Sequence, residues 1–144
     1  NYRLTNIQAA MGVAQLEKLP EFIETKRKIF SMYKEKVNLI PGLKIAEVPD
    51  YAKNNHWMTS VIVDEKVYGK SRDALMKYLS KNDIQSRPIW KLNHLQKPYR
   101  NCQKYKILNA LQLAENALHI PCGVNLSSNQ INKVIEKLAE GASN

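Results

Sequence analysis

The 144 residues carry 22 lysines and arginines against 13 acidic side chains, a formal net charge of +9, with 44% hydrophobic and 24% charged residues. This is ordinary globular usage and excludes a disordered or fibrous chain; the length suits one compact domain or part of a larger protein. No apolar run approaches the roughly 20 residues that span a bilayer, and two cysteines, Cys102 and Cys122, are too few for a disulfide framework and lack metal-ligand spacing, so a reducing, cytoplasmic setting is expected.

The chain opens Asn1-Tyr2-Arg3-Leu4, without an initiator methionine and with a helix signal almost at once. Natural domains usually carry slack residues at their ends, so a piece of a longer polypeptide is expected. Thr5 and Gln8 form a capping box, which starts a helix running to about residue 18. Ile7, Ala10, Met11 and Ala14 mark one apolar face of it, and Ala9, Val13 and Leu16 another. Apolar residues on two sides predict burial between two bodies, with association or fraying before Pro20 when the second body is absent. Gly12, costly in mid-helix, predicts a close neighbour. Pro20 suits the first turn of a second helix to about residue 38, with Phe22, Ile23, Ile29, Phe30, Tyr33 and Val37 as its stripe.

A Pro41-Gly42 turn leads into a short strand over residues 43–48, then a polar loop over 49–55. Residues 56–63, rich in β-branched and aromatic side chains, predict the central strand. Ser71 caps a helix through Asn82, and residues 84–89 read as a strand bent near Pro88. An irregular, aromatic and basic segment over 90–102 precedes a helix over 104–117 and a short edge strand over 118–121. A second capping box, Ser127 to Gln130, opens a last helix with Ile131, Val134, Ile135 and Leu138 in phase. The order predicts an α+β fold: two long leading helices, then a small antiparallel sheet with helices on one face.

A net charge of +9 attracts polyanions. The densest basic group, Lys26, Arg27, Lys28, Lys34 and Lys36, is interleaved with Glu21, Glu24 and Glu35, which favours a solvated helix face over a nucleic-acid surface. No phosphate-binding glycine loop, dinucleotide fingerprint, zinc or calcium spacing, or nucleophile elbow is present. His56, His94 and His119 have no histidine partner at helical spacing. His119 reads as a satisfied strand residue and His56 as a strand opener. His94 lies in the segment over residues 87–99, whose aromatic, basic and amide side chains suit either a ligand wall or a surface loop.

Residues 1–16, NYRLTNIQAAMGVAQL, resemble the pattern N-Y-R-[LM]-[TS]-x-[IL]-Q-A-A-x-G-x-x-Q-L of the DegT/StrS-type sugar aminotransferases, pyridoxal-phosphate enzymes of the type I fold. Arg87-Pro88-Ile89-Trp90-Lys91 with His94 and Gln96 is similar to the family's R-P-x-W-K-P-x-H-x-Q, and Leu118-His119-Ile120-Pro121-Cys122-Gly123-Val124-Asn125-Leu126 to its C-L-P-S-G-x-N stretch. Leu92 and Asn93 depart from that pattern, as does Cys122 in place of a serine.

The resemblance implies that residues 1–38 are leading helices joining a large cofactor domain and contributing to a dimer interface. Residues 39–144 would then be the small C-terminal α+β domain. It further implies a cofactor, pyridoxal 5'-phosphate, whose phosphate is held across the dimer by Asn1 and by Arg3, with a structural ion pair the alternative for Arg3. Tyr2, Arg87, Trp90, Lys91 and His94 would face a nucleotide-linked keto-deoxysugar, with L-glutamate as amino donor and glycan biosynthesis as the setting. No catalytic residue and no metal ligand is expected in these residues. The Schiff-base lysine belongs to the large domain, so the chain alone is expected to be inactive. The implied partner is a second copy, not nucleic acid or membrane. Two alternatives stand beside this reading: a sugar dehydratase or regulatory member of the same family, and a free-standing basic module that binds nucleic acid or protein.

Overall fold

The computed structural model describes residues 2–142. One helix, α1 (Asn6–Val37), leads into β1 (Leu43–Ile45) and β2 (Thr59–Val63), a short α2 (Glu65–Tyr68) and α3 (Arg72–Lys81). A two-residue β3 (Arg87–Pro88), two 3₁₀ turns, α4 (Asn109–Asn116), β4 (Ala117–Ile120) and α5 (Ser128–Gly141) follow. The four strands form one antiparallel sheet in the order β1-β2-β4-β3. The α+β class and the small antiparallel sheet are as expected. β4, expected at an edge, lies inside the sheet because β3 pairs along its free side through Arg87↔His119 and Pro88↔Leu118.

The two expected leading helices are a single one that continues through Pro20. Proline removes one hydrogen bond and crowds the preceding turn, yet the residues around it keep helical geometry. The second half of α1 is amphipathic and anchored. Ile29, Tyr33 and Val37, one turn apart, are buried in the same cluster as Val61, Val63, Leu75, Leu79, Leu118, Ile131 and Leu138. The first half projects: Ile7, Met11, Val13 and Leu16 are each more than half exposed. Gly12 has no atom near its missing side chain, so the expected close neighbour is not there among the described residues.

Both capping boxes form, at Thr5/Gln8 and Ser127/Gln130, and Ser71 caps α3. Strand alternation sets the two faces of the sheet. Val61 and Leu118 point into the core with Thr59 and Ile120, while Ser60 and His119, also paired, point to the opposite face. Tyr68 locks the helical layer: its hydroxyl donates to the Leu138 carbonyl at 2.8 Å, and burial, with a smaller contribution from Tyr78, pushes it up to about 12. Gly42, at φ 79°, and Gly141 both lie against Tyr68 so closely that a β-carbon would overlap it. No described helix is long and apolar enough to cross a membrane.

Candidate functional site

Asn1 lies outside the described residues. Tyr2, Arg3, Leu4 and Thr5 line a shallow hollow of about 540 Å³ ahead of α1. The capping box orders this end, with Gln8 N–H donating to Thr5 Oγ1 at 3.3 Å and Thr5 N–H to Gln8 Oε1 at 3.0 Å. The first turn carries no acidic residue, so the positive end of the helix dipole is not neutralised from within. Arg3 is exposed, and no ion pair engages it among the described residues.

The second group of expected residues lies beyond α3. Arg87 is on β3, directly across from His119. Trp90, Lys91, Asn93, Gln96, Lys97 and Pro98 enclose an open hollow of about 580 Å³. Gln96 shapes it: its side-chain amide donates to the Lys91 carbonyl at 3.1 Å and to Asn93 Oδ1 at 3.2 Å, tying the end of the first 3₁₀ turn back to its start. Of the expected substrate residues, Trp90 and Lys91 meet here. His94 sits half-buried in the first turn and does not line this hollow. No hydrogen bond or ring contact joins Tyr2 or Arg3 to this segment among the described residues. At 1.5 Å per residue the start of α1 stands roughly 30 Å along the helix from Lys26. The expected site residues thus form two separate groups. A hollow of about 1020 Å³ between the end of β2 and α4 contains none of them.

Beside Trp90 the structure places a residue the sequence reading did not single out. Trp57 meets Trp90 edge to face, with ring centroids 5.6 Å apart and planes at 70°. The loop carrying Trp57 is clamped to α1 in two places. Lys26, expected on a solvated face, reaches inward and donates to the Trp57 carbonyl at 3.0 Å and to the Cys122 carbonyl. His56, expected to open a strand, has φ 51° and stacks on Phe30 at 3.9 Å. Asn54 and Asn55 side chains accept from the His56 and Trp57 amides at 2.7 and 3.0 Å, turns that hold this bend. A lysine spaced like its solvated neighbours gives no sequence signal that it will clamp a distant loop.

His56 and His119 are both held below the ordinary imidazole value near 6.5, His56 by burial and then by Arg27, His119 by burial. A depressed folded value means that protonation favours unfolding. Their contribution to stability is therefore fully present above about pH 6.5 and is lost as pH falls through the lower folded values. Urea denaturation of this chain between about pH 7.5 and 5 is expected to show falling stability. His56→Phe with His119→Asn, which keep the stack and a polar partner for Ser60, should flatten that slope; an unchanged slope would contradict the assignment.

The model of the DegT/DnrJ/EryC1/StrS aminotransferase family matches residues 1–139. EpsN of Bacillus subtilis, named provisionally as a pyridoxal phosphate-dependent aminotransferase, is 33% identical over 144 residues, 96% of this chain and 36% of its own length. GDP-perosamine synthase of Vibrio cholerae is 30% identical over 93% of this chain and 36% of its length. The crystal structure of DesI, solved in the presence of its TDP-sugar product, superposes with a TM-score of 0.85 at 28% identity, covering 94% of this chain and 35% of that one. The chain thus spans about 36% of the length of the curated relatives it matches. With the family model running from the N-Y-R motif through most of α5, over a sheet and helices that superpose on those of DesI, this chain belongs to the DegT/DnrJ/EryC1/StrS aminotransferase family.

Proposed function

We propose that these residues are the C-terminal part of a pyridoxal-phosphate-dependent enzyme that moves an amino group from L-glutamate to a nucleotide-linked keto-deoxysugar. The observation that carries this reading is the intact N-Y-R-L-T-x-I-Q-A-A motif, its arginine exposed and without an ion pair among the described residues at the uncompensated end of α1. Bound pyridoxal phosphate supplies the electron sink for amino transfer, and a donor set of guanidinium, amide and helix end fits its phosphate dianion.

Arg3 gives a bidentate, charge-assisted contact to that phosphate, and Asn1 an amide donor. Tyr2 flanks them. Trp90 offers the sugar nucleotide an apolar face, Lys91 and Arg87 balance its diphosphate, and His94 stands behind the turn that presents them. These residues bind and orient, while the covalent chemistry belongs to the large domain, so the isolated chain is inactive. The working form is a homodimer, whose formation covers the apolar faces of the first half of α1.

The test is to purify the complete protein with pyridoxal phosphate and supply nucleotide-linked keto-deoxysugars with L-glutamate. Glutamate-dependent appearance of an aminosugar product is the expected result. Loss of water from the sugar without nitrogen gain would favour the dehydratase reading, and absence of both reactions with every sugar nucleotide would overturn the proposal.

A further inference from the structure

From Ile84 to Ala114 the chain carries Arg87, Lys91, Lys97, Arg100, Lys104 and Lys106 and no aspartate or glutamate, so this stretch alone holds six of the nine excess positive charges. Folding does not supply the missing anions. The ion pairs among the described residues, such as Lys18–Glu21 on α1 and Lys137–Glu140 on α5, all lie outside it, and no side-chain hydrogen bond engages any of the six. Lys91 and Lys97 border the hollow at Trp90, but Arg100, Lys104 and Lys106 do not. Those three belong to residues 97–106, which are exposed at every position. Two consecutive turns fold this stretch back on itself: the Tyr99 N–H donates to the Gln96 carbonyl at 3.0 Å and the Cys102 N–H to the Tyr99 carbonyl at 3.1 Å. Like charges gathered in this way repel one another within a screening length of about 8 Å, and an anionic surface relieves that repulsion.

We propose that residues 95–108 form a docking surface for an anionic lipid bilayer, with Arg100, Lys104 and Lys106 on the headgroups and Tyr105 and Leu108 in the layer beneath them. The apolar side chains among the cations decide the partner. Tyr105 is 77% and Leu108 70% exposed, with Leu95 and Tyr99 also open to water, and Lys106 Nζ stands 5.3 Å from the centre of the Tyr105 ring. Tyrosine and leucine settle at the boundary between headgroups and acyl chains, while lysine and arginine stems lie along it and keep their charge among the phosphates. A nucleic acid offers phosphates and stackable bases but no apolar layer for Leu95 and Leu108. The contact is peripheral, since no described helix is long and apolar enough to cross a membrane. It is also separate from the sugar-nucleotide function proposed above, because its three defining cations lie outside the hollow at Trp90.

The test is co-sedimentation of the complete protein with vesicles of equal parts phosphatidylglycerol and phosphatidylcholine, against vesicles of phosphatidylcholine alone. Binding to the anionic vesicles only, released as salt rises from about 50 mM to about 500 mM, is the expected result. Arg100→Gln, Lys104→Gln and Lys106→Gln combined should weaken it about a hundredfold with an unchanged urea midpoint. Tyr105→Ala with Leu108→Ala, at unchanged charge, should weaken it about tenfold. A control removes as many exposed cations elsewhere, through Lys66→Gln, Lys77→Gln and Lys81→Gln, and should bind like the wild type. An equal loss in that control would overturn the proposal, since it marks diffuse net charge and not this surface. Release of the wild type from vesicles by uridine or guanosine diphosphate would overturn it by assigning the cations to the substrate. Wild-type protein that ignores anionic vesicles would also overturn it, and single-stranded RNA bound in their place would identify the surface as one for nucleic acid.

Discussion

Tyr33→Ala is expected to destabilise this chain by about 4 kcal/mol. The side chain is fully buried in the core between the neighbouring turns of α1, and truncating a buried aromatic costs about 3–5 kcal/mol through lost burial and the cavity left behind. Its hydroxyl also donates to the Pro121 carbonyl at 2.9 Å, at the end of β4. Burial first, and then the nearby Cys122, hold that phenol far above its ordinary value, so it remains a donor throughout the accessible pH range. Tyr33→Phe isolates the hydroxyl and should cost about 1 kcal/mol. Domains of this kind are stable by only about 5–15 kcal/mol in total, so the alanine variant should sit close to its unfolding transition at room temperature. Tyr51→Ala, at a side chain 90% exposed, should change stability by less than about 0.5 kcal/mol. Urea midpoints for the three variants give the comparison. A Tyr33→Ala loss no greater than that of Tyr51→Ala would show that the second half of α1 is not an integral wall of the core.

Elements announced by local chemistry were legible in the sequence. Thr5/Gln8, Ser71 and Ser127/Gln130 mark helix starts because their side chains satisfy amides within three residues, a matter of spacing alone. The buried stripe of α5 is likewise a local periodicity. Features decided by distant partners were not legible. Pro20 reads locally as a helix start, yet α1 runs through it. β4 reads as an edge because only two residues of a poor strand, Arg87 and Pro88, close its other side. α2 is four residues long, too short for periodicity, although Asp64 accepting from the Lys66 and Val67 amides marks its start in hindsight.

The candidate site divides in the same way. The N-Y-R motif and the Arg87 to Gln96 segment could be recognised as strings, and Trp90 with Lys91 does line a hollow. Trp57, Lys26 and His119 come to that place through a loop clamp and a cross-strand pair, contacts between residues 31 to 96 positions apart. No pattern of spacing signals them.

The second large effect concerns the opening motif. On the proposed function, replacing Asn1 and Arg3 together with alanine in the complete protein is expected to remove two donors to a doubly charged phosphate. Hydrogen bonds to charged groups contribute about 1.5–3 kcal/mol each, which predicts at least about a hundredfold weaker cofactor binding. The stability of the chain should change little, because Arg3 is exposed and the Thr5 capping box that starts α1 is left intact.

Complementation between two inactive variants tests most directly whether these side chains serve the site of a second copy. One variant carries Asn1→Ala and Arg3→Ala; the other lacks the lysine that, on the proposed function, bonds the cofactor in the large domain. Each homodimer should be inactive. Co-expressed and purified through two different tags, the mixed dimer should regain activity, because one of its two sites then combines an intact lysine from one subunit with an intact Asn1 and Arg3 from the other. A mixed dimer as inactive as its parents would place the motif in its own subunit's site and would contradict the account.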